Sequence, residues 1–471
     1  MRKTKIVCTL GPATDNDGVL EELVKNGMNV ARMNFSHSTY EEHEKRMKQV
    51  HKLAEKYDRP IAVLLDTKGP EIRTGELKEE KVLLQKGSTL ILTAEPVQGD
   101  ASKVSITFPT LYQDVSAGTE ILLDDGLIAL EVIEVTKTDI VCRVKNDGWL
   151  SAHKGINVPN VHINMPYMNE KDKNDILFGI RHQVDFIAAS FVRTSDDVKE
   201  LRKFLDDNGG SAIHIISKIE NIEGVKNIDS IIAASEGIMV ARGDMGVELP
   251  PEEVPAIQKM IIRKVYEAGK QVVTATQMLD SMMKNPRPTR AEVADVANAV
   301  YDGTSAIMLS GETAAGKYPV EALQMMVRIA QRTEEDIDYR HRFEHFTSRK
   351  SNDITAAISH ATCTTAYDIS AKAIVTVTKS GRSARMISKY RPDCTIIAGT
   401  TDETVYRQLG MSWGVIPVLV EEKQDIFELF SHAIDVARQK ELVEKGDLVV
   451  LTSGVPLGVS GTTNMLKVQM V

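Results

Sequence analysis

Cysteine is scarce. The four residues Cys8, Cys142, Cys363 and Cys394 stand far apart in a chain of 471 and form no C-x-x-C pair. That spacing argues against a structural zinc site and a disulfide framework, and it fits a reducing cytoplasm. Positive charge is also in short supply: 57 Lys and Arg against 66 Asp and Glu give a formal net charge of -9 and a pI near 5.8. The chain as a whole therefore does not attract nucleic acid or an anionic membrane, and phosphate chemistry would need cations placed locally. Small molecules are the expected partners. No apolar run approaches the roughly 18 residues of a membrane span. The N-terminus, Met1-Arg2-Lys3-Thr4-Lys5-Ile6-Val7-Cys8, lacks the apolar core of a signal peptide. No G-x-x-x-x-G-K-[ST] motif occurs, so a P-loop is not expected and a nucleotide would have to be held by scattered cations. There is no low-complexity segment and no repeat longer than a strand-helix unit.

The composition, 42% hydrophobic and 26% charged, is that of a chain that folds throughout. Its length exceeds what one core serves, so roughly two to four domains are expected. Short apolar, β-branched runs at 4–10, 29–35, 61–66, 184–190, 212–219, 237–242, 271–276 and 305–309 are each followed by a polar, helix-competent stretch. Eight such units, with strands apolar on both faces, predict a closed (β/α)8 barrel, an α/β fold of the TIM type. Thr39-Tyr40-Glu41-Glu42 and Thr289-Arg290-Ala291-Glu292 have capping-box spacing and support the register. The stretch between the third and fourth runs lacks helical periodicity. It carries strand-like pieces at 81–85, 89–93, 120–123 and 140–144 and a turn at Asp125-Gly126. It reads as a small inserted all-β domain, either a lid over the open end of the barrel or a rigid decoration. After the polar run 341–353, strands near 372–378, 394–400, 414–420, 447–452 and 465–470 predict a C-terminal α/β domain with a mostly parallel sheet. The expected division is 1–70 with 167–340 for the barrel, 71–166 for the β-barrel-like insertion and 353–471 for the last domain.

In a barrel of this kind, catalytic groups sit where strands end and loops begin. Those positions are rich in polar residues here: Arg32-Met33-Asn34-Phe35-Ser36-His37, Asp66-Thr67-Lys68-Gly69-Pro70-Glu71-Ile72-Arg73, Ser217-Lys218-Ile219-Glu220-Asn221, Ala241-Arg242-Gly243-Asp244, Thr274-Ala275-Thr276-Gln277 and Leu309-Ser310-Gly311-Glu312-Thr313. Glu220 and Asp244, on neighbouring strands, offer hard oxygen ligands that suit Mg²⁺ or Mn²⁺. Lys218, two residues before Glu220, points the same way and puts a cation beside the metal. Arg32 and Arg73 add fixed charge on adjacent strand ends, an arrangement that phosphoryl transfer needs. Any one of these groups alone would read as a structural ion pair; five together do not. Gly243-Asp244-Met245-Gly246, before a helix expected near Pro250, offers backbone N–H groups to a substrate carboxylate, or is a plain turn.

The segments 66–73, 217–221, 239–248, 274–283 and 308–313 closely resemble pyruvate kinase, as does the opening Thr4-Lys5-Ile6-Val7-Cys8-Thr9-Leu10-Gly11-Pro12, and the resemblance runs along essentially the whole chain. It implies an enzyme that moves the phosphoryl group of phosphoenolpyruvate to ADP, giving pyruvate and ATP. In that reading Lys218 and Arg32 contact the phosphoryl group, and Glu220 and Asp244 hold the divalent metal. Arg73, Asn34, His37 and, on the insertion, Lys154 contact nucleotide phosphates. Gly243, Asp244 and Thr276 lie against the substrate, and Ser310 with Glu312 belongs to a water network that delivers the proton. Asn34, Ser36, Asp66 and Thr67 match the family's K⁺ site, and glutamate at Glu71 marks the K⁺-dependent members.

The resemblance further implies a homotetramer and an effector-phosphate loop, Thr378-Lys379-Ser380-Gly381-Arg382-Ser383, which follows a strand and opens a helix; an ordinary capped helix start is the other reading. Thr452-Ser453-Gly454-Val455-Pro456-Leu457-Gly458 lacks the Trp and Arg that the fructose-1,6-bisphosphate-activated animal and yeast enzymes carry nearby. AMP or a sugar monophosphate is therefore the expected effector, with an unregulated enzyme as the alternative. The chain ends at Val471, without the additional phosphohistidine-like domain of some bacterial members. Two other function classes stay open: a metal-dependent enolate-forming lyase or aldolase, and a non-catalytic phosphometabolite sensor.

Overall fold

Eight short strands, buried over almost their whole length, close into a barrel in a computed structural model that describes residues 2–346, 353–456 and 463–471. They are β1 (Lys5–Leu10), β2 (Val30–Asn34), β3 (Ala62–Asp66), β4 (Phe186–Ala189), β5 (His214–Ile219), β6 (Gly237–Ala241), β7 (Gln271–Ala275) and β8 (Ala306–Leu309). Each pairs in parallel with its neighbours, and β8 returns to β1. The continuous apolar character of these strands has a direct cause, since both faces are covered. Val7, Val30, Leu64, Phe186, Ile216, Met239 and Met308 fill the interior, while Ile6, Ala31, Leu65 and Ile187 from the same strands pack outward against the helices. Both predicted capping boxes form: Thr39 and Glu42 cap the helix Tyr40–Lys56, and Thr289 and Glu292 cap Arg290–Asp302.

Between β3 and β4 the chain builds a seven-stranded sheet and a separate two-stranded pair around their own core, which includes Leu84, Leu90, Ile121, Leu130 and Cys142. Strands form at all four expected places, and Asp124, Asp125 and Gly126 turn with φ of 52, 55 and 81. Strands Ile72–Arg73, Lys103–Ser105, Gly148–Ser151 and Gly155–Asn157 are additional and too short to show a period, and Ile128–Val135 has its alternation diluted by Ala129. The last sheet has the spatial order Val415–Leu419, Thr395–Thr400, Ala373–Val377, Leu448–Gly454, Thr463–Met470; only the final pair is antiparallel. Leu457 and Gly458 of the stretch that departs from the animal and yeast pattern lie outside the described residues.

The C-terminal sheet and its helices close the barrel at the end where the strands begin. Met411 is fully buried in the barrel's interior cluster, Lys5 Nζ donates to the Val415 carbonyl at 2.6 Å, and Gln271 Nε2 donates to Ser412 Oγ at 2.9 Å. The other end, where strands finish, is left for the inserted domain. Among the described residues no helix is long and apolar enough to cross a membrane.

Candidate active site

Lys218 organises the open end of the barrel. It is the fifth residue of β5 and 9% exposed, and its Nζ donates to Ser190 Oγ at 2.7 Å and to Asp66 Oδ1 at 3.1 Å while pairing with Glu220 Oε1 at 3.0 Å. Burial alone would drive its proton off. The carboxylates of Asp66 and Glu220 more than offset that, so the ammonium is held above its ordinary range. Ser190 follows β4 directly, and its hydroxyl donates toward Asp66 Oδ1 and the Thr67 carbonyl, linking β3, β4 and β5 at one point. The strand-end rule that found Lys218 also covers Ser190; reading the end of β4 as it was read for the other strands would have included it.

Arg32 is placed differently from the expected strand end. It is the third residue of β2 and 8% exposed; its Nε donates to Asp66 Oδ2 at 2.6 Å and its Nη1 to Thr9 Oγ1 at 2.9 Å. Arg73 does not continue a barrel strand at all. It lies in Ile72–Arg73, which pairs with Gly155–Ile156, so it belongs to the inserted sheet. Its Nε binds Glu71 Oε2 at 2.7 Å and its Nη1 the His153 carbonyl at 2.8 Å. The Pro70 turn carries the chain out of the barrel before Arg73 is reached, which sequence spacing does not reveal.

Glu220 is 1% exposed and accepts from the Phe191 N–H at 2.6 Å. Burial raises its carboxyl above the usual range; Lys218 opposes this and the charge of Asp244 adds to it. A buried carboxylate whose ionised form is further opposed by a neighbouring one is a donor that a divalent cation relieves. Among the described residues no group of three or more His, Cys, Asp or Glu could hold a metal. Two carboxylates nevertheless fit Mg²⁺, which takes one or two and completes its shell with water and substrate phosphate.

Asp244 lies in the first turn of a short helix, Arg242–Glu248, that starts directly after β6 and precedes the expected helix, which runs from Val254 to Glu267 just beyond Pro250. The Gly243 N–H donates to Thr276 Oγ1 at 2.7 Å. Thr276 follows β7 with φ of 69, and Gln277 with 53. A β-branched residue in the left-handed region is a strained conformation of the kind that collects at working sites. Ser310, after β8, has a buried hydroxyl without a hydrogen-bond partner among the described residues. Glu312 is occupied by backbone instead, accepting from Leu279 N at 3.0 Å and Ser310 N at 2.7 Å, and burial raises its carboxyl.

Asn34 and Asp66 are register partners on β2 and β3, and Asn34 Oδ1 accepts from Ser36 N at 3.1 Å. With Thr67, whose carbonyl serves Ser190, this brings the four expected K⁺ residues into one corner of the barrel mouth. The His37 side chain is exposed beyond β2 and lies away from the lid cleft. That cleft, about 260 Å³ between the inserted domain and the barrel, is lined by Glu71, Arg73, Lys154, Phe191, Asp244 and Glu248 among others. Lys154 faces it while paired with Asp124 at 2.9 Å, a partner the sequence did not suggest. Asn157 Nδ2 reaches Glu248 Oε1 at 3.2 Å and His162 reaches Glu223 at 3.0 Å across the cleft.

In the C-terminal sheet, Thr378 and Lys379 follow the strand Ala373–Val377 and Arg382 opens the helix Arg382–Ser388, as expected. Gly381 has φ of 74, the Ser380 carbonyl accepts from Arg385, and Ser383 Oγ lies 2.5 Å from Thr463 Oγ1. The Arg382 guanidinium pairs with Asp353 at 3.6 Å.

Comparison with known proteins agrees with this architecture. A family model described as the pyruvate kinase barrel domain matches residues 1–323, and one for the pyruvate kinase alpha/beta domain matches 356–469. The chain is 52% identical to the pyruvate kinase of Clostridium acetobutylicum over 100% of both chains. It is 52% identical to that of Geobacillus stearothermophilus over 100% of this chain and 80% of the relative. The crystal structure of a pyruvate kinase from Cryptosporidium parvum superposes with a TM-score of 0.95 at 41% identity, covering 100% of this chain and 96% of that one. With both family models, full-length relatives and a matching solved fold, the chain belongs to the pyruvate kinase family of phosphotransferases.

Proposed function

We propose that the barrel mouth transfers the phosphoryl group of phosphoenolpyruvate to ADP, and that Lys218, buried among Asp66, Ser190 and Glu220, is the observation that carries this reading. A β-phosphate oxygen of ADP attacks the phosphorus in line, the bond to the enol oxygen breaks, and the enolate carbon takes up a proton to give pyruvate. Lys218 and Arg32 present fixed positive charge to the equatorial oxygens, and their carboxylate contacts hold them in place before substrate arrives, so little reorganisation accompanies the reaction. Gly243, Asp244 and Thr276 would orient the enol, with the strained Thr276 backbone fixing its hydroxyl. The unpartnered Ser310 hydroxyl is where an ordered water would sit to relay the proton, with Glu312 holding the Ser310 loop. Arg73 and Lys154, both on the inserted domain, line the cleft and would hold the nucleotide phosphates there, while Asn34 and His37, outside the cleft lining, would reach them from the barrel side.

Glu220 and Asp244 would hold Mg²⁺ or Mn²⁺, which supplies charge neutralisation on the phosphates. Asn34, Ser36, Asp66 and the Thr67 carbonyl would hold K⁺, their neutral and anionic oxygens being the right chemistry for a hard monovalent ion. The reading divides the chain into 1–70 with 167–340, 71–166 and 353–471, places it in the cytoplasm as a homotetramer, and gives the 378–383 loop an AMP or sugar-monophosphate effector. Light scattering tests the assembly against the 52.0 kDa chain mass. The reaction is tested by pyruvate release from phosphoenolpyruvate with Mg²⁺ and K⁺, with and without ADP. Strict ADP dependence is expected. Loss of phosphoenolpyruvate without ADP would favour the lyase reading, and no turnover in either case the sensor reading.

A further inference from the structure

A second concentration of positive charge lies far from the barrel mouth, in a cleft of about 370 Å³ between the start of the barrel strands and the C-terminal domain. One face of the helix Arg382–Ser388 and the residue beyond it supplies Arg382, Arg385 and Lys389, spaced three and four apart and therefore aligned. The opposite wall supplies Lys270 and Glu236, and Asp353 completes the charged lining. In a chain whose net charge is -9, four cations against two carboxylates among the described residues around one cavity is a local reversal of sign.

The carboxylates offset that excess only in part: Glu236 acts on Arg385 and Lys270, and Glu267 and Asp353 act on Lys389, without reversing the effect of burial. Glu236 is turned to Arg202 at 2.9 Å and to the Ile215 N–H at 2.8 Å, and Asp353 pairs with Arg382 at 3.6 Å. Among the described residues, Arg385 has only the Ser380 carbonyl at 3.2 Å, and Lys389 has no ion pair, only the faces of Phe346 and Tyr390 at 5.8 and 5.5 Å. Burial pulls Arg385, Lys389 and Lys270 below their ordinary ranges, the direction expected of cations withdrawn from water without full compensation.

We infer that this cleft is a binding site for a phosphomonoester dianion, held by Arg385 and Lys389; of the 378–383 loop only Arg382 lines it, so the loop's hydroxyls are not its ligands. A dianion cancels the two incompletely compensated charges, and the guanidinium fork and ammonium suit phosphate oxygens. The volume accommodates a phosphate with a small organic body. The position also connects to the active site. Glu236 and Lys270 immediately precede β6 and β7, the strands that end at Arg242-Gly243-Asp244 and Thr276. A ligand there would bear on the starts of the two strands whose ends orient the substrate.

The test is calorimetric titration of the intact protein with inorganic phosphate at ionic strength matched with chloride, followed by AMP and glucose 6-phosphate as two sources of the same group. The parent is compared with Lys389→Met, Lys389→Arg, Lys218→Met and the double variant Thr378→Ala/Ser383→Ala. Phosphate binding is expected to weaken about tenfold or more in Lys389→Met, to return in Lys389→Arg, and to persist in the other two. If Lys389→Met binds phosphate as the parent does, or if the parent does not bind it at millimolar concentration, the site does not exist. If binding vanishes in Lys218→Met or in the loop variant, the ion belongs to the barrel mouth or to the loop, and the inference falls. A melting curve of Lys389→Met without ligand distinguishes lost binding from lost folding, and Arg385→Lys repeats the comparison with charge retained.

Discussion

Ser190 carries no charge, yet its hydroxyl touches Asp66, the Thr67 carbonyl and the Lys218 ammonium, so from the end of β4 it fixes the geometry of three groups on the two flanking strands. Replacing Lys218 with Met removes the charge at similar length. Turnover is expected to fall by at least about 10²- to 10³-fold, the scale of losing one preorganised donor to a transition-state oxygen. Phosphoenolpyruvate turnover followed as pyruvate release checks it, and undiminished turnover would move the phosphoryl contact elsewhere. Ser190→Ala should cost less and act through Lys218, with kcat reduced and the Michaelis constant for ADP little changed. At the same scale, the Asn34, Ser36, Asp66 and Thr67 corner together with Glu71 leads to a cation test. Activity should collapse when K⁺ is replaced by tetramethylammonium and return with added K⁺; full activity without K⁺ or Na⁺ would show that no monovalent ion is used.

At the scale of elements, the inserted domain carries the two cations proposed to meet the nucleotide. Arg73 and Lys154 both ride on it, and in this conformation Asp124 holds Lys154. Lys154→Met should lower kcat with ADP by at least about tenfold while leaving thermal stability within about 0.5 kcal/mol of the parent, as expected of a partly exposed lysine. Steady-state kinetics beside a melting curve checks both parts. The barrel strands were legible because each is a single apolar run bounded by polar residues, and the capping boxes because two residues three apart suffice to define them. The place of Arg73 was not legible, because the chain leaves the barrel within the short stretch between Asp66 and Ile72. Strands of two to four residues such as Ile72–Arg73 and Gly155–Asn157 have no period to read and exist only through their neighbours. The Lys154–Asp124 pair joins positions thirty residues apart and needs the folded sheet to be seen.

At the scale of the molecule, the end of the barrel opposite the active site is joined to the C-terminal domain by buried polar contacts. Arg407 Nε donates to Asp185 Oδ1 at 2.9 Å, and Asp185 is fully buried. Arg407→Met would strand that carboxylate, at a cost of about 3 to 5 kcal/mol seen in urea unfolding. Lys5 gives the junction a pH dependence. Its ammonium is buried against the Val415 carbonyl, and burial, helped by Arg2 and opposed by Glu334, lowers it to about 7. In the unfolded chain a lysine holds its proton to about pH 10.4. Below pH 7 both states are protonated and the cost of burying the charge is complete; between pH 7 and 10 the unfolded state binds the proton more tightly, so stability rises with pH across that window. Lys5→Met removes this contribution while keeping the packing. Its stability advantage over the parent should therefore be largest near pH 6.5 and shrink steadily toward pH 9.5, by at most about 1.4 kcal/mol per pH unit. Urea midpoints of the two proteins across that range measure the difference directly, with all other titrating groups common to both. A difference that does not change with pH would mean that Lys5 keeps its ordinary proton affinity at the junction.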